Sequence, residues 1–178
     1  MSPPRARRPQ VPMAQRRTEL AEAALKVMRR DGAWTMTTRA VAAEADVPHG
    51  AIHYAFGGKE GLLRAVIAAD VESAAAILVG GVGFVGEGAA EGSPAEVLHS
   101  AFRRYTDRVV ADPETELVLQ ELTLMGARDP ALRALVADWS AGYRRSMSDL
   151  LAELADRSGR SWQAPVEVIA EQLLAVLF

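Results

Sequence analysis

A chain of 178 residues, 49% of them hydrophobic, is long enough for one sizeable domain or for a small and a medium one. It has no Cys, which excludes disulfide frameworks and Cys-based zinc sites and suits the reducing cytoplasm, the location expected here. The formal charge of −3 is unevenly spread: residues 1–65 carry 11 Lys/Arg against 6 Asp/Glu, and residues 66–178 carry 9 against 17, as in a basic module that meets phosphates on an acidic body. Residues 1–12 hold Pro3, Pro4, Pro9 and Pro12 with Arg5, Arg7 and Arg8, and have no apolar stretch. They read as a disordered basic arm and not as a secretory leader. Such an arm either reaches a neighbouring groove of DNA or is merely solvated. Over 13–31, Leu20, Ala24, Val27 and Met28 recur at helical spacing, and Gly32 is a suitable stop.

Thr37, a good N-cap, opens a short helix over 38–45 with Val41, Ala42 and Ala45 turned inward. Asp46-Val47-Pro48 breaks it, because proline pushes the preceding residue out of helical geometry and then suits a helix start. A second short helix follows over 48–55, where Ile52, with Val47, meets the first. His49, Ala51, His53 and Tyr54 lie on its outward side. Two short helices about such a turn form a helix-turn-helix, whose second helix fits a DNA major groove. Gly57-Gly58 ends that helix. Lys59-Glu60 starts the next, which runs to about residue 79 on a stripe of Leu62, Leu63, Val66, Ile67, Asp70 and Val71. Lys59 and the free N–H groups at that helix start make a phosphate seat.

Residues 80–93 contain Gly81, Gly83 and Gly86 in a literal G-x-G-x-x-G. A dinucleotide site needs a strand before it and a helix opening on it; helix precedes and more Gly and Ala follow, so this is a loop. Phe84 sits inside it. Ser93-Pro94, Asp112-Pro113 and Asp129-Pro130 then mark three helix starts by the N-cap-then-proline preference. The three helices are expected over 94–111, 113–125 and 130–157. Leu117, Val118, Leu122 and Met125 point inward from the second, and Gly126 stops it. A last helix starts near Pro165 and runs to Phe178 with only Glu167, Glu171 and Gln172 clearly polar, so it is buried or meets another chain. Ending on Leu177-Phe178 suggests a longer native chain. Nothing alternates like a strand, and no apolar run approaches a membrane span. The fold class is all-α.

The order of residues between 17 and 67 resembles the tetracycline-repressor (TetR) family of transcriptional regulators. The features are Asp31-Gly32, an aromatic at Trp34, Thr37-Thr38-Arg39, Val41-Ala42-Ala43-Glu44-Ala45, and then Gly50, Ile52, Phe56, Lys59-Glu60 and Leu62. Two features depart from the family pattern. His53 and Ala55 stand where the family usually has an aromatic pair, and Asp46 stands where it usually has Gly. The resemblance implies a three-helix DNA-binding domain over 13–58, after an arm over 1–12, and a helical ligand-binding and dimerisation domain over 59–178. It places Thr37, Thr38, Arg39, Pro48, His49, Gly50, Ala51, His53, Tyr54 and Lys59 at operator DNA. It implies a homodimer, with the last two helices pairing with their mates through Val166, Ile169, Leu173 and Leu177. It also implies a body cavity for a small-molecule effector, for which His99, Phe102, Tyr105, Leu122, Met125, Trp139, Tyr143 and Met147 are the candidate lining. Aromatic and Met side chains make adaptable apolar walls, and Tyr or His orients the guest. The acidic body favours a neutral or cationic one.

Enzymatic readings find no footing. G-x-S-x-G, H-E-x-x-H and G-x-x-x-x-G-K-[ST] are all absent from the sequence. His49 and His53 share a helix face at i, i+4, but no third metal ligand accompanies them, and His99 reads as a core or pocket residue beside an apolar face. No cofactor or metal is expected. The sequence therefore describes a ligand-responsive DNA-binding regulator, a repressor released from a palindromic operator, with no enzymatic activity. Two alternatives are a ligand-independent DNA-binding regulator with a filled core and a helical sensor or enzyme with a vestigial helix-turn-helix.

Overall fold

Hydrophobic periodicity becomes eight helices, with no strand among the described residues; the computed structural model describes residues 12–79 and 93–175. The basic arm and the glycine loop with Phe84 lie outside them. Helix α1 (Met13–Asp31) buries Leu20, Ala24, Val27 and Met28 and stops at Gly32, whose φ of 86° only glycine adopts freely. Helix α2 (Thr38–Glu44) is capped by Thr37, whose hydroxyl accepts the Ala40 N–H at 3.2 Å. Its exit is a Schellman turn. The Val47 N–H reaches the Ala42 carbonyl at 3.0 Å, the Asp46 N–H reaches that of Ala43 at 3.2 Å, and Asp46 sits at φ 51°. The family's usual Gly is explained by that angle, and Asp is among the few side chains that tolerate it.

Helix α3 (Gly50–Phe56) starts two residues later than the proline rule suggests. Pro48 and His49 instead form its lead-in turn, with the Ala51 N–H on the Pro48 carbonyl at 2.8 Å. Ile52 and Ala55 are its buried side, against Val41 and Ala42 of α2 and the α1 stripe. Helix α4 (Lys59–Val79) packs on α1 at one end and on the body at the other. Helix α5 (Pro94–Ala111) opens with a capping box of Ser93 and Glu96. Helices α6 (Pro113–Arg128) and α7 (Pro130–Ser158) open with Asp112 and Asp129 as caps, each followed by proline. Helix α8 (Val166–Leu174) lies along α7, which is the spine of the body and also touches α4 and α6.

Two expectations for α6 are corrected. Gly126 does not stop the helix, which runs to Arg128. Gly126 is buried because Val136 of α7 presses onto it, so it is a contact glycine and not a cap. Leu117 is 65% exposed, since the face that meets the core is Val118, Leu119, Leu122 and Met125. The last helix is described only to Leu174, and Leu177 lies outside the described residues. No described helix is long and apolar enough to cross a membrane.

Candidate nucleic-acid interface and effector cavities

The outward face of α3 is built on a braced platform. Tyr54 is 81% exposed, and His49 and His53 are exposed beside it, while Ala51 is half-buried. Arg39, at the start of α2, is exposed and has no hydrogen bond to any described residue. The Thr38 hydroxyl and the His49 Nε2 meet at 2.9 Å and tie the first turn of α2 to the entry of α3. Thr37 spends its hydroxyl on the cap, and Pro48 and Gly50 are exposed at the mouth of the turn. Together these residues offer a free guanidinium, a phenol and two imidazoles on a helix of the right size for a major groove.

Lys59 is placed differently from a freely exposed phosphate ligand. Its ammonium is half-buried and donates to the Met36 carbonyl at 2.7 Å, just ahead of the Thr37 cap. Burial lowers its pKa below the usual lysine range. An ammonium has three donors, so two remain for a phosphate. Lys59 is thus a tie between α4 and the start of α2 as well as a cation at a helix N-terminus.

Sequence reasoning missed Arg17. Its guanidinium donates to the Ala55 carbonyl at 2.5 Å and covers the Phe56 ring at 4.7 Å, so α1 holds the C-terminal end of α3. A cation there also suits the negative end of the helix dipole. The partners are 38 residues apart, so no local pattern announces the contact.

Two further contacts fasten the head to the body, and a third ties α4 to α7. Arg29 of α1 bonds the Thr115 hydroxyl at 2.5–2.8 Å and pairs with Asp112 at the start of α6. The Ala33 N–H donates to Glu121 of α6 at 2.5 Å. Arg64 of α4 pairs with Asp138 of α7 at 2.9 Å.

In the body, Asp70 of α4 is the buried polar centre. Its carboxylate accepts the Tyr143 hydroxyl at 2.5 Å and the Arg108 guanidinium at 3.1–3.2 Å, which joins α4, α7 and α5. Arg108 also lies over the Tyr105 ring, 5.3 Å from its centre. Burial, with the Asp70 charge adding to it, pushes the Tyr143 hydroxyl far up. Burial and Glu116 push Tyr105 up to about 12, so both phenols stay protonated donors at neutral pH.

The eight candidate lining residues are not gathered around one cavity. Trp139 and Tyr143 face a pocket of about 290 Å³ between α6, α7 and α8, with Gln120, Thr123, Ser140, Arg144, Glu171 and Leu174 around it. Tyr105, Leu122, Met125 and Met147 are packed core, and Phe102 is half-buried against that core. His99 is exposed and bonded to Arg103 at 2.9 Å, not a core or pocket residue, because it lies off the Val97, Ala101 and Tyr105 face of α5. A larger cleft of about 680 Å³, which no residue pattern announces, opens between α1, α4, α5 and α6. Of the expected dimer residues, Val166, Ile169 and Leu173 are half-buried on the core within the chain. Ala170 and Leu174 are the buried face of α8, and Val168 is 45% exposed.

An all-helical chain with a helix-turn-helix head, joined by one long helix to a helical body, defines a helix-turn-helix DNA-binding transcriptional regulator. Residues 20–66 match the family of bacterial regulatory proteins of the tetR type, and residues 89–177 match the tetracycline repressor-like C-terminal domain. The chain belongs to the TetR family. It is 26% identical over 162 residues to the HTH-type nicotine-responsive transcriptional repressor HdnoR of Paenarthrobacter nicotinovorans, covering 91% of this chain and 79% of that protein. Among solved structures, a TetR-family member from Streptomyces coelicolor superposes with a TM-score of 0.65 at 27% identity, over 92% of this chain and 83% of the other. The fatty acid degradation regulator FadR from Bacillus halodurans superposes with a TM-score of 0.68 at 20% identity, over 96% and 82%.

Proposed function

We propose that the chain is a cytoplasmic repressor that binds a palindromic operator as a homodimer and leaves it when a small molecule occupies the body. The functional units of this reading are the arm over 1–12, a DNA-binding head over 13–58 and an effector and dimer body over 59–178. One observation carries it: Arg39, His53 and Tyr54 stand exposed, with no hydrogen bond to any described residue, on the outer side of a helix pair that Arg17 and Lys59 tie to α1 and α4. Similarity to a nicotine-responsive repressor favours repression with a small-molecule release signal. In this reading the body senses and does not catalyse.

In this reading Arg39 and Tyr54 read bases, while Thr37, Thr38, Pro48, Gly50 and Lys59 seat the backbone. Tyr54→Ala or Arg39→Ala is expected to weaken the cognate operator by about 1–3 kcal/mol and a scrambled duplex hardly at all. Gel shifts on both duplexes check this, and equal losses on the two would remove the residue from base reading.

Dimerisation supplies the second half-site. Helix α8 keeps an outward apolar remnant at Val168, and the half-buried Val166, Ile169 and Leu173 border it. Leu173→Glu should leave a monomer in sedimentation, because two carboxylates facing each other across a two-fold axis have no partner. The unaltered chain sedimenting as a monomer would end the dimer proposal. The effector pocket of this reading is the one between α6, α7 and α8. Trp139 lines it, and Tyr143 connects it to Asp70 on α4.

A further inference from the structure

Helix α3 is only 7 residues long, and its last turn has little of its own to hold it. The final carbonyls of a helix find no donor inside it. Here the Gly57 N–H takes the carbonyl of His53 at 2.8 Å. The carbonyl of Ala55 is taken from outside, by the Arg17 guanidinium of α1 at 2.5 Å. The same guanidinium lies over the Phe56 ring, 4.7 Å from its centre. One flat group thus closes the end of α3 with a charge-assisted hydrogen bond and a stack. The two together need a planar fork, which Arg has and Lys lacks.

The place of this closure matters because of what the last turn carries. Tyr54, 81% exposed, is the residue before Ala55, and the exposed His53 precedes it. The other end of the helix pair is fixed separately. Thr38 meets His49 at 2.9 Å, and Lys59 donates to the Met36 carbonyl at 2.7 Å. Neither contact reaches the turn of Tyr54. Beyond that turn stand Gly57 and Gly58, at φ 77° and 142°, with no side chains to brace it.

We propose that Arg17 is a positioning residue for base reading. It keeps the last turn of α3 wound, so that Tyr54 enters the groove in a fixed direction, and it touches no base itself. This rests on Tyr54 as a base reader. Without Arg17 the turn frays, and Tyr54 must be ordered anew each time it binds. Arg39, at the start of α2, keeps its direction.

The test uses Arg17→Met, Tyr54→Ala and Arg39→Ala, singly and in pairs. Arg17 is exposed, so methionine leaves the core untouched while it removes the donors and the flat charge. Gel shifts are run on a duplex selected from a random pool by the unaltered chain, and on its scrambled counterpart. Arg17→Met should weaken the selected duplex at least about fivefold more than the scrambled one. That extra loss should vanish when Tyr54 is already Ala and persist when Arg39 is Ala, because only the first pair works as a unit. Equal losses on both duplexes, with the salt slope lowered by about 1, would make Arg17 a phosphate ligand and overturn the proposal. An extra loss that is the same with and without Tyr54 would overturn it too. Amide exchange without DNA tells the two possible failures apart. In Arg17→Met the Gly57 N–H should exchange at least about tenfold faster, with the amides of α7 unchanged. Unchanged Gly57 exchange would sink the closure and leave base reading standing. Faster Gly57 exchange, with Tyr54→Ala harmless on the selected duplex, would sink base reading and reduce Arg17 to packing.

Discussion

Gly61→Ala should lower the melting temperature by roughly 5–10 °C and cost most of the operator affinity. Gly61 is in the first turn of α4, and a methyl group there would run into the backbone carbonyl of Phe56, the last residue of α3. A carbonyl held in a helix end cannot swing aside as a side chain does, so the α3–α4 corner must open. Overpacking of this kind costs about 1–3 kcal/mol, and in a chain of this size each kcal/mol is about 2–4 °C. The displacement falls on α3 itself, and Gly57 and Gly58 at φ 77° and 142° already hold the corner in geometry few other residues adopt. DNA binding should therefore fail at temperatures where the body is still folded. A melting point within about one degree of the parent, with operator affinity intact, would mean that the close approach is not needed.

Asp70→Ala is the other large effect. The Asp70 side chain is only 7% exposed, and three helices meet on it. Removing it leaves the Tyr143 hydroxyl buried without its acceptor and the Arg108 guanidinium without its counter-charge. Breaking one side of such a buried arrangement costs about 3–5 kcal/mol, against about 1 for the single hydrogen bond lost in Tyr143→Phe. Denaturant melts of the two single variants and the double variant measure this directly. The double variant should be less than the sum, because Tyr143→Phe removes one of the groups that Asp70→Ala strands. If Asp70→Ala costs no more than Tyr143→Phe, the network does not hold α4 to α5 and α7.

What the sequence revealed was whatever depends on neighbours in the chain. The Thr37 cap, the Ser93-Pro94 start and the Asp-Pro starts at 112 and 129 rest on contacts across two or three residues, and each stands where the pattern put it. The all-α architecture and the helix-turn-helix of the TetR family were legible for the same reason. Gly126 misled because its role is set by Val136 on another helix, and a glycine in a contact looks like a glycine in a cap. Leu117 misled because a leucine at helical spacing says nothing of which face is covered. Asp70 was placed on the apolar stripe of α4, yet its partners Arg108 and Tyr143 are 38 and 73 residues away. The cleft between α1, α4, α5 and α6 was invisible, since a space between four helices has no pattern of its own.

The fastening of the head at Arg29 and at Ala33 carries a consequence for movement. Together with α4 it gives the head three points of attachment, and a plate held at three points cannot swing without letting go of one. The two α6 attachments are partly open to water, where such contacts are worth about 1 kcal/mol or less each. Letting go is therefore affordable on thermal timescales, and the free protein should visit loosened heads without help. A bound molecule then has only to favour one of these poses by about 1–3 kcal/mol to decide the spacing of two heads on DNA. The switch in such a protein needs no large engine, because the catch it releases is weak by construction.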